Sequence, residues 1–176
     1  MCNCIIATTL VPLTQGKYAA IDNEDADEIM QHKWYVKAHP QRPEAARIYG
    51  PKINRVTIRM HRQIIGLEHG DGMEVDHINH NTLDNRRCNL RVCSKSQNQR
   101  NQLVQSRKKY SKGVIHRDRT MNPWDARIKV NGKCRHIGCY ATEQEAADAY
   151  DAAARKHFGE FAYTNYQARQ DTLVVA

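Results

Sequence analysis

Within this chain of 176 residues, the side chains best equipped for chemistry fall between Met73 and Asn101. Asp76 and His77 are adjacent, His80, Asn89 and Asn98 follow, and arginines stand at positions 86, 87 and 91. Cleaving a phosphodiester requires a water made nucleophilic near neutral pH, a cation to neutralise the phosphate and the leaving 3′ oxygen, and a base within reach. One imidazole and a few hard oxygen ligands supply these requirements.

Such groups act together only if local structure collects them. Met73–Ile78 reads as a strand, Asn79–Thr82 as a loop by composition, and Leu83–Val92 as a second strand with Asn89-Leu90-Arg91 inside it. Ser94 is placed to cap a helix running to Arg100, with Gln97 at the capping-box position and Asn98 one turn in. Strict strand alternation sends Asp76 and His77 to opposite faces, so a twist, a bulge or a strand end is needed to bring both to one site. Asp84 and Asn85 most simply cap a turn. Arg86, Arg87 and Arg91 suit bidentate pairing with phosphate, and Arg91 is expected inside the site.

Together Val75-Asp76-His77-Ile78-Asn79, Leu83-Asp84-Asn85-Arg86, Asn89-Leu90-Arg91 and Ser96-Gln97-Asn98 resemble the phage and intron-associated HNH homing endonucleases. The resemblance implies a ββα-metal unit gripping one divalent cation, with Asp76 and Asn98 as ligands and His77 as general base. Asn89, at the middle motif position, would brace the loop and orient His77. Asn98 stands where many relatives carry a final His, and its amide oxygen suits Mg²⁺ or Mn²⁺. The implied reaction is hydrolysis of double-stranded DNA, one strand first, to 5′ phosphate and 3′ hydroxyl. His80 is an accessory candidate in the loop. His61, in Arg59-Met60-His61-Arg62, matches a position common upstream of such motifs and suggests packing or phosphate contact.

Charge distribution agrees. The formal charge is +8, yet residues 86–135 hold 15 Lys/Arg against 2 Asp/Glu, between two mildly acidic flanks. That lopsided block is the footprint of a polyanion binder. RNA would satisfy the same charge, so double-stranded DNA as partner rests on the motifs rather than on charge. A membrane surface is disfavoured, since the block lacks a long amphipathic helix and no run approaches the roughly 20 apolar residues of a span. Residues 1–7 lack a positive leader, which predicts a cytoplasmic, unsecreted protein. Six cysteines without any C-x-x-C pair read as free, reduced thiols. No protein partner is evident.

Upstream, Lys17–Ile21, Lys33–Lys37 and Arg55–Met60 read as strands, Asp22–Met30 as a short helix, Pro40–Pro51 as a loop or hairpin turn, and Met60–Gly66 as a helical turn. Downstream, Gly113–Ile115, Trp124–Val130 and Lys133–Tyr140 read as three strands, the last two joined at Asn131-Gly132, a strong hairpin signal. Thr142 with Glu145 forms a capping box for a helix to about His157, with Ala146, Ala149, Tyr150 and Ala153 on one stripe.

The downstream pattern of Gly113-Val114, Trp124-x-Ala126-Arg127-Ile128-Lys129, His136-Ile137-Gly138-x-Tyr140, Glu145-Ala146-Ala147-x-Ala149-Tyr150-Asp151 and Asn165 resembles the Apetala-type, ethylene-response-factor DNA-binding domain. By position the resemblance implicates Arg117, Trp124, Arg127 and Lys129 in DNA contact, and Arg135 joins them on the basic sheet. His136 stands where that family usually carries an aromatic.

The expected architecture is α+β. Residues 1–101 form a strand-rich region plus nuclease with its core motif at 73–101, 102–112 a basic linker, 113–166 a three-stranded antiparallel sheet on one helix, and 167–176 a tail. The rival reading is a non-cleaving DNA-binding regulator that keeps only the nuclease fold.

Overall fold

The computed structural model describes residues 7–38, 42–68, 70–101, 109–118 and 121–168. Residues 102–108 of the expected linker, 169–176 of the expected tail, and the thiols of Cys2 and Cys4 lie outside them. Helices and several small antiparallel sheets are mixed along the chain, an α+β arrangement. Two compact units divide between Lys95 and Ser96, six residues before the boundary expected at residue 101.

In the N-terminal unit, β1 (Thr8–Pro12) and β2 (Tyr18–Asp22) form a hairpin, followed by the short helix α1 (Ala26–Ile29). Next come β3 (Tyr35–Lys37), β4 (Glu44–Tyr49) and β5 (Val56–Arg59), an antiparallel sheet in that order. The loop or hairpin turn expected over Pro40–Pro51 is therefore corrected. Its middle is the central strand, because Ala45 and Ala46 find partners on both sides, in Val36, Tyr35 and Arg59. Helix α2 (Met60–Ile65) stops at Gly66, whose φ of +77° suits glycine in the left-handed C-cap.

Strands β6 (Glu74–His77) and β7 (Leu90–Cys93) pair antiparallel. The second strand is shorter than expected. Residues 83–85 join β2 instead: Ala20 N–H donates to Leu83 O and Asn85 N–H to Ala20 O. Arg87–Asn89 then makes a 3-10 turn, so Asn89 precedes the strand rather than lying within it.

Val75 and Leu90 enter the same buried cluster as Val11, Ile21, Ile29, Trp34, Met60 and Ile64. The motif's hairpin and the strands upstream thus share one core, where each large side chain stabilises by about 1.5–3 kcal/mol on burial.

The C-terminal unit begins within α3 (Lys95–Arg100). Strands β8 (Val114–His116), β9 (Trp124–Val130) and β10 (Lys133–Tyr140) form a sheet with β9 central. Asn131 and Gly132 both adopt positive φ, +52° and +78°, as the hairpin signal requires. Helix α4 (Glu143–Phe158) carries the reciprocal Thr142–Glu145 capping box. It packs on the sheet through Ala146, Ala147, Tyr150 and Ala154. Ala149 and Ala153, expected on that stripe, are only partly buried at its border. Buried Asp151 accepts from Asn165 N and Nδ2 and from Tyr166 N, while Asn165 Oδ1 accepts from Lys112 N at 2.7 Å. The chain's entry and exit are clamped together there.

Candidate active site

Of the three devices that could bring Asp76 and His77 to one site, the structure has a strand end, since His77 is the last residue of β6. In register Asp76 faces Arg91 and His77 faces Leu90, the last pair of the ladder. Both side chains are 6% exposed.

His77 Nε2 lies 3.2 Å from Asn85 Oδ1. The amide's other end donates to Leu83 O and Met60 Sδ, which fixes the oxygen toward the imidazole. Asn85 therefore accepts from Nε2–H, and the neutral ring presents Nδ1 as its basic atom. Burial lowers the His77 pKa below the ordinary 6.5, against the opposing pull of Asn85 and of the carboxylates Asp76, Glu44 and Asp84. The ring is consequently neutral at neutral pH, the state a proton acceptor needs.

Asn85, read from sequence as a turn residue, is thus the side chain that orients His77. Asn89 has the bracing duty alone: Oδ1 accepts from Asn79 N, Nδ2 donates to Asp84 O, and its carbonyl accepts from Ile78 N. The sequence signal that identifies Asn85 is its place in Leu83-Asp84-Asn85-Arg86, a motif already singled out.

The arginines expected to meet phosphate are held by acids. Arg91 donates through Nε and Nη2 to Asp76 Oδ2 at 2.9 and 2.7 Å. Arg86 makes a fork to both oxygens of Asp84. Arg87 grips Asp25 and Glu24, and its N–H donates to Asp22 Oδ2. Arg87 thereby offsets part of the charge of the cluster formed by Asp22, Glu24 and Asp25. Arg91 does lie beside Asp76, as expected, but as that carboxylate's partner.

His80 closes the turn after β6 with φ +62°, its N–H donating to His77 O. His61 is 6% exposed and stands edge-on to His77 at 5.1 Å, a packing position beside the imidazole. Burial, then the charges of His77, Arg59 and Arg62, push its pKa down to about 3. Since the unfolded chain binds this proton near 6.5, the stabilisation is whole above that pH and is lost as pH falls toward 3. The slope is about 1.4 kcal/mol per pH unit. Urea unfolding followed through Trp34 is expected to show a loss of roughly 2 kcal/mol between pH 6.5 and 5, with a shallower slope in His61→Leu.

Asn98 sits in α3, on the C-terminal side of the division. On donor chemistry, a buried carboxylate and an amide oxygen fit a hard divalent cation.

In the C-terminal unit, Asp125, Arg127 and Lys129 share the face of β9 opposite the helix. Asp125 is 2% exposed, with Arg117 Nε at 2.6 Å and Arg127 Nη2 at 3.3 Å on Oδ2. Lys129 is exposed. Two expected DNA contacts fall elsewhere. Trp124 packs partly buried against the helix-side cluster of Val114, Ala126, Ala146 and Ala147, with its ring 4.6 Å from that of His116. Arg135 pairs in register with Ile128, on the helix face, because cross-strand partners share a side.

Residues 59–100 match the HNH endonuclease family. Over 165 residues the chain is 30% identical to an uncharacterized HNH endonuclease of Acanthamoeba polyphaga mimivirus, covering 92% of this chain and 81% of that protein. A shorter likeness, 48% over 52 residues, relates 28% of the chain to 20% of an ethylene-responsive transcription factor of Arabidopsis thaliana. No solved structure matches the chain.

Proposed function

We propose, since this chain belongs to the HNH endonuclease family, that it is a homing-type, metal-dependent enzyme that hydrolyses double-stranded DNA. The observation that carries the reading is the buried Asp76–His77 pair, with Asn85 holding Nε2 and leaving Nδ1 to accept a proton.

In this reading His77 Nδ1 takes the proton of a water that attacks phosphorus in line. Asn85 keeps the ring in the required tautomer and stabilises the imidazolium that forms. Asp76 and Asn98 would hold one Mg²⁺ or Mn²⁺, and Arg91 fixes the Asp76 carboxylate. When bound, the ion supplies positive charge at the phosphate and the leaving 3′ oxygen. The products carry 5′ phosphate and 3′ hydroxyl.

The sheet unit supplies affinity and site choice through Arg117, Arg127 and Lys129, a reading supported by its charge and by the likeness to the Arabidopsis factor. Lys and Arg at such a face neutralise phosphates, and linking two modest binders raises avidity. Among the described residues no helix is long and apolar enough to cross a membrane.

Plasmid cleavage with Mg²⁺ or Mn²⁺ tests the proposal. Open circles are expected before linear product, with chelator abolishing both. Absence of cutting in any divalent metal, with duplex binding retained, would establish the non-cleaving regulator instead. Preference for RNA over duplex at fixed salt would sink the DNA reading.

A further inference from the structure

Three residues apart on one strand, His136 and Cys139 should point to opposite faces. A register shift in β10 between His136 and Gly138 adds one residue to that side of the ladder and reverses the alternation. Cys139 consequently stands opposite Asp125, and His136 opposite Arg127, all on the face away from α4.

The three donor atoms converge. Cys139 Sγ lies 3.2 Å from Asp125 Oδ1 and 3.5 Å from His136 Nε2, and the set falls within 4.8 Å. Around tetrahedral Zn²⁺, with bonds of about 2.3 Å to sulfur and 2.0–2.1 Å to nitrogen or oxygen, neighbouring donors sit roughly 3.5 Å apart. The two spacings from Sγ are close to those edges.

Asp125 also carries the outer support expected of a ligand. Its Oδ2 is held by Arg117 and Arg127, which aims Oδ1 at the thiol. Ligating carboxylates are commonly fixed by such hydrogen bonds on the second oxygen.

We propose that Asp125, His136 and Cys139 form a Zn²⁺ site in the C-terminal unit, separate from the nuclease motif. A thiolate, an imidazole and one carboxylate oxygen suit borderline-soft zinc rather than Mg²⁺. The ion replaces the proton that Cys139 Sγ shares with Asp125, and that proton goes to solvent. A water completes the tetrahedron. Its effect is to pin the bulge, and with it the register of β10 against the Asp125–Arg127 stretch of β9.

Cobalt(II) reports the site, because only thiolate ligation gives the near-ultraviolet charge-transfer band, and Cys88→Ser and Cys93→Ser, which remove the two free thiols of the nuclease motif, should leave it in place. Titrated into the reduced full chain, Co²⁺ is expected to give this band at about one equivalent, displaced by Zn²⁺. Cys139→Ser and His136→Asn should each abolish it, while Cys134→Ser and Asp76→Ala retain it. Circular dichroism shows whether each variant folds. A second readout on the unmodified chain is proton release on zinc addition, expected to be about one per ion. No band and no released proton in the wild-type chain, or a band that survives Cys139→Ser or His136→Asn, overturns the proposal.

Discussion

Replacing His77 with alanine is expected to lower kcat for plasmid nicking about a thousandfold, the middle of the range for loss of a general base. Duplex affinity should change little, because the sheet unit and the basic block carry most of the charge. Asn85→Ala is the sharper test, since Asn85 touches His77 and is itself fully buried. With no amide oxygen to hold Nε2–H, the imidazole can turn or adopt the other tautomer. A fall of roughly tenfold to a hundredfold in kcat is expected, by analogy with loss of a group that orients a metal-bound histidine. The pH profile separates this from simple damage. In the wild-type enzyme the acid limb should lie below pH 6.5, since burial lowers the His77 pKa. Asn85 pulls that pKa upward, so Asn85→Ala should move the limb further down. A variant that loses rate with an unmoved limb would leave Asn85 a merely structural residue.

Gly113→Ala should unfold the C-terminal unit or come close to it. Gly113 has φ +76°, and an added Cβ would fall 2.0 Å from Tyr150 Cδ2 and 2.7 Å from Arg127 O. Tyr150 is buried in the helix–sheet core and Arg127 O belongs to the central strand, so neither can yield cheaply. Strain at positive φ together with overpacking costs about 3–5 kcal/mol. Urea unfolding followed through Trp124 should register that loss while the Trp34 transition stays in place. Weakened duplex binding should accompany it. A loss below about 1 kcal/mol would mean that the Gly113 backbone moves freely.

The C-terminal unit was largely legible because its signals are local. Asn131-Gly132 needs only its own dihedrals, Thr142 and Glu145 cap each other within one turn, and β9 and β10 are unbroken runs of seven and eight residues. The N-terminal unit hides more, since its elements depend on distant partners. Strand β4 looks like a loop between Pro43 and Gly50 until β3 and β5 flank it, and β1 makes no pattern clear enough to read alone. Residues 83–85, read as the start of the second strand with Asp84 and Asn85 capping a turn, instead bridge to β2 more than sixty residues earlier.

The site divides the same way. Asp76, His77 and Asn89 are marked by motif spacing, whereas the Asn85 contact depends on two amide neighbours contributed by the fold. Arg86 and Arg91 were recognisable as cations, but nothing in the sequence says that Asp84 and Asp76 would engage them first. Likewise the face of Arg135 follows from register, and the meeting of His136 with Cys139 from a bulge.

The pairing of residues 83–85 with β2 bears on how this catalytic segment could be transplanted. The stretch matching the family, 59–100, leaves behind Ala20, Asp22 and Asp25, which hold the backbone of Asn85 and both the backbone and guanidinium of Arg87. Moved into a chimera without them, the loop would keep every signature residue and lose the template that shapes it. The smallest portable cutting cassette therefore starts at the first hairpin, near Thr8, rather than at the motif.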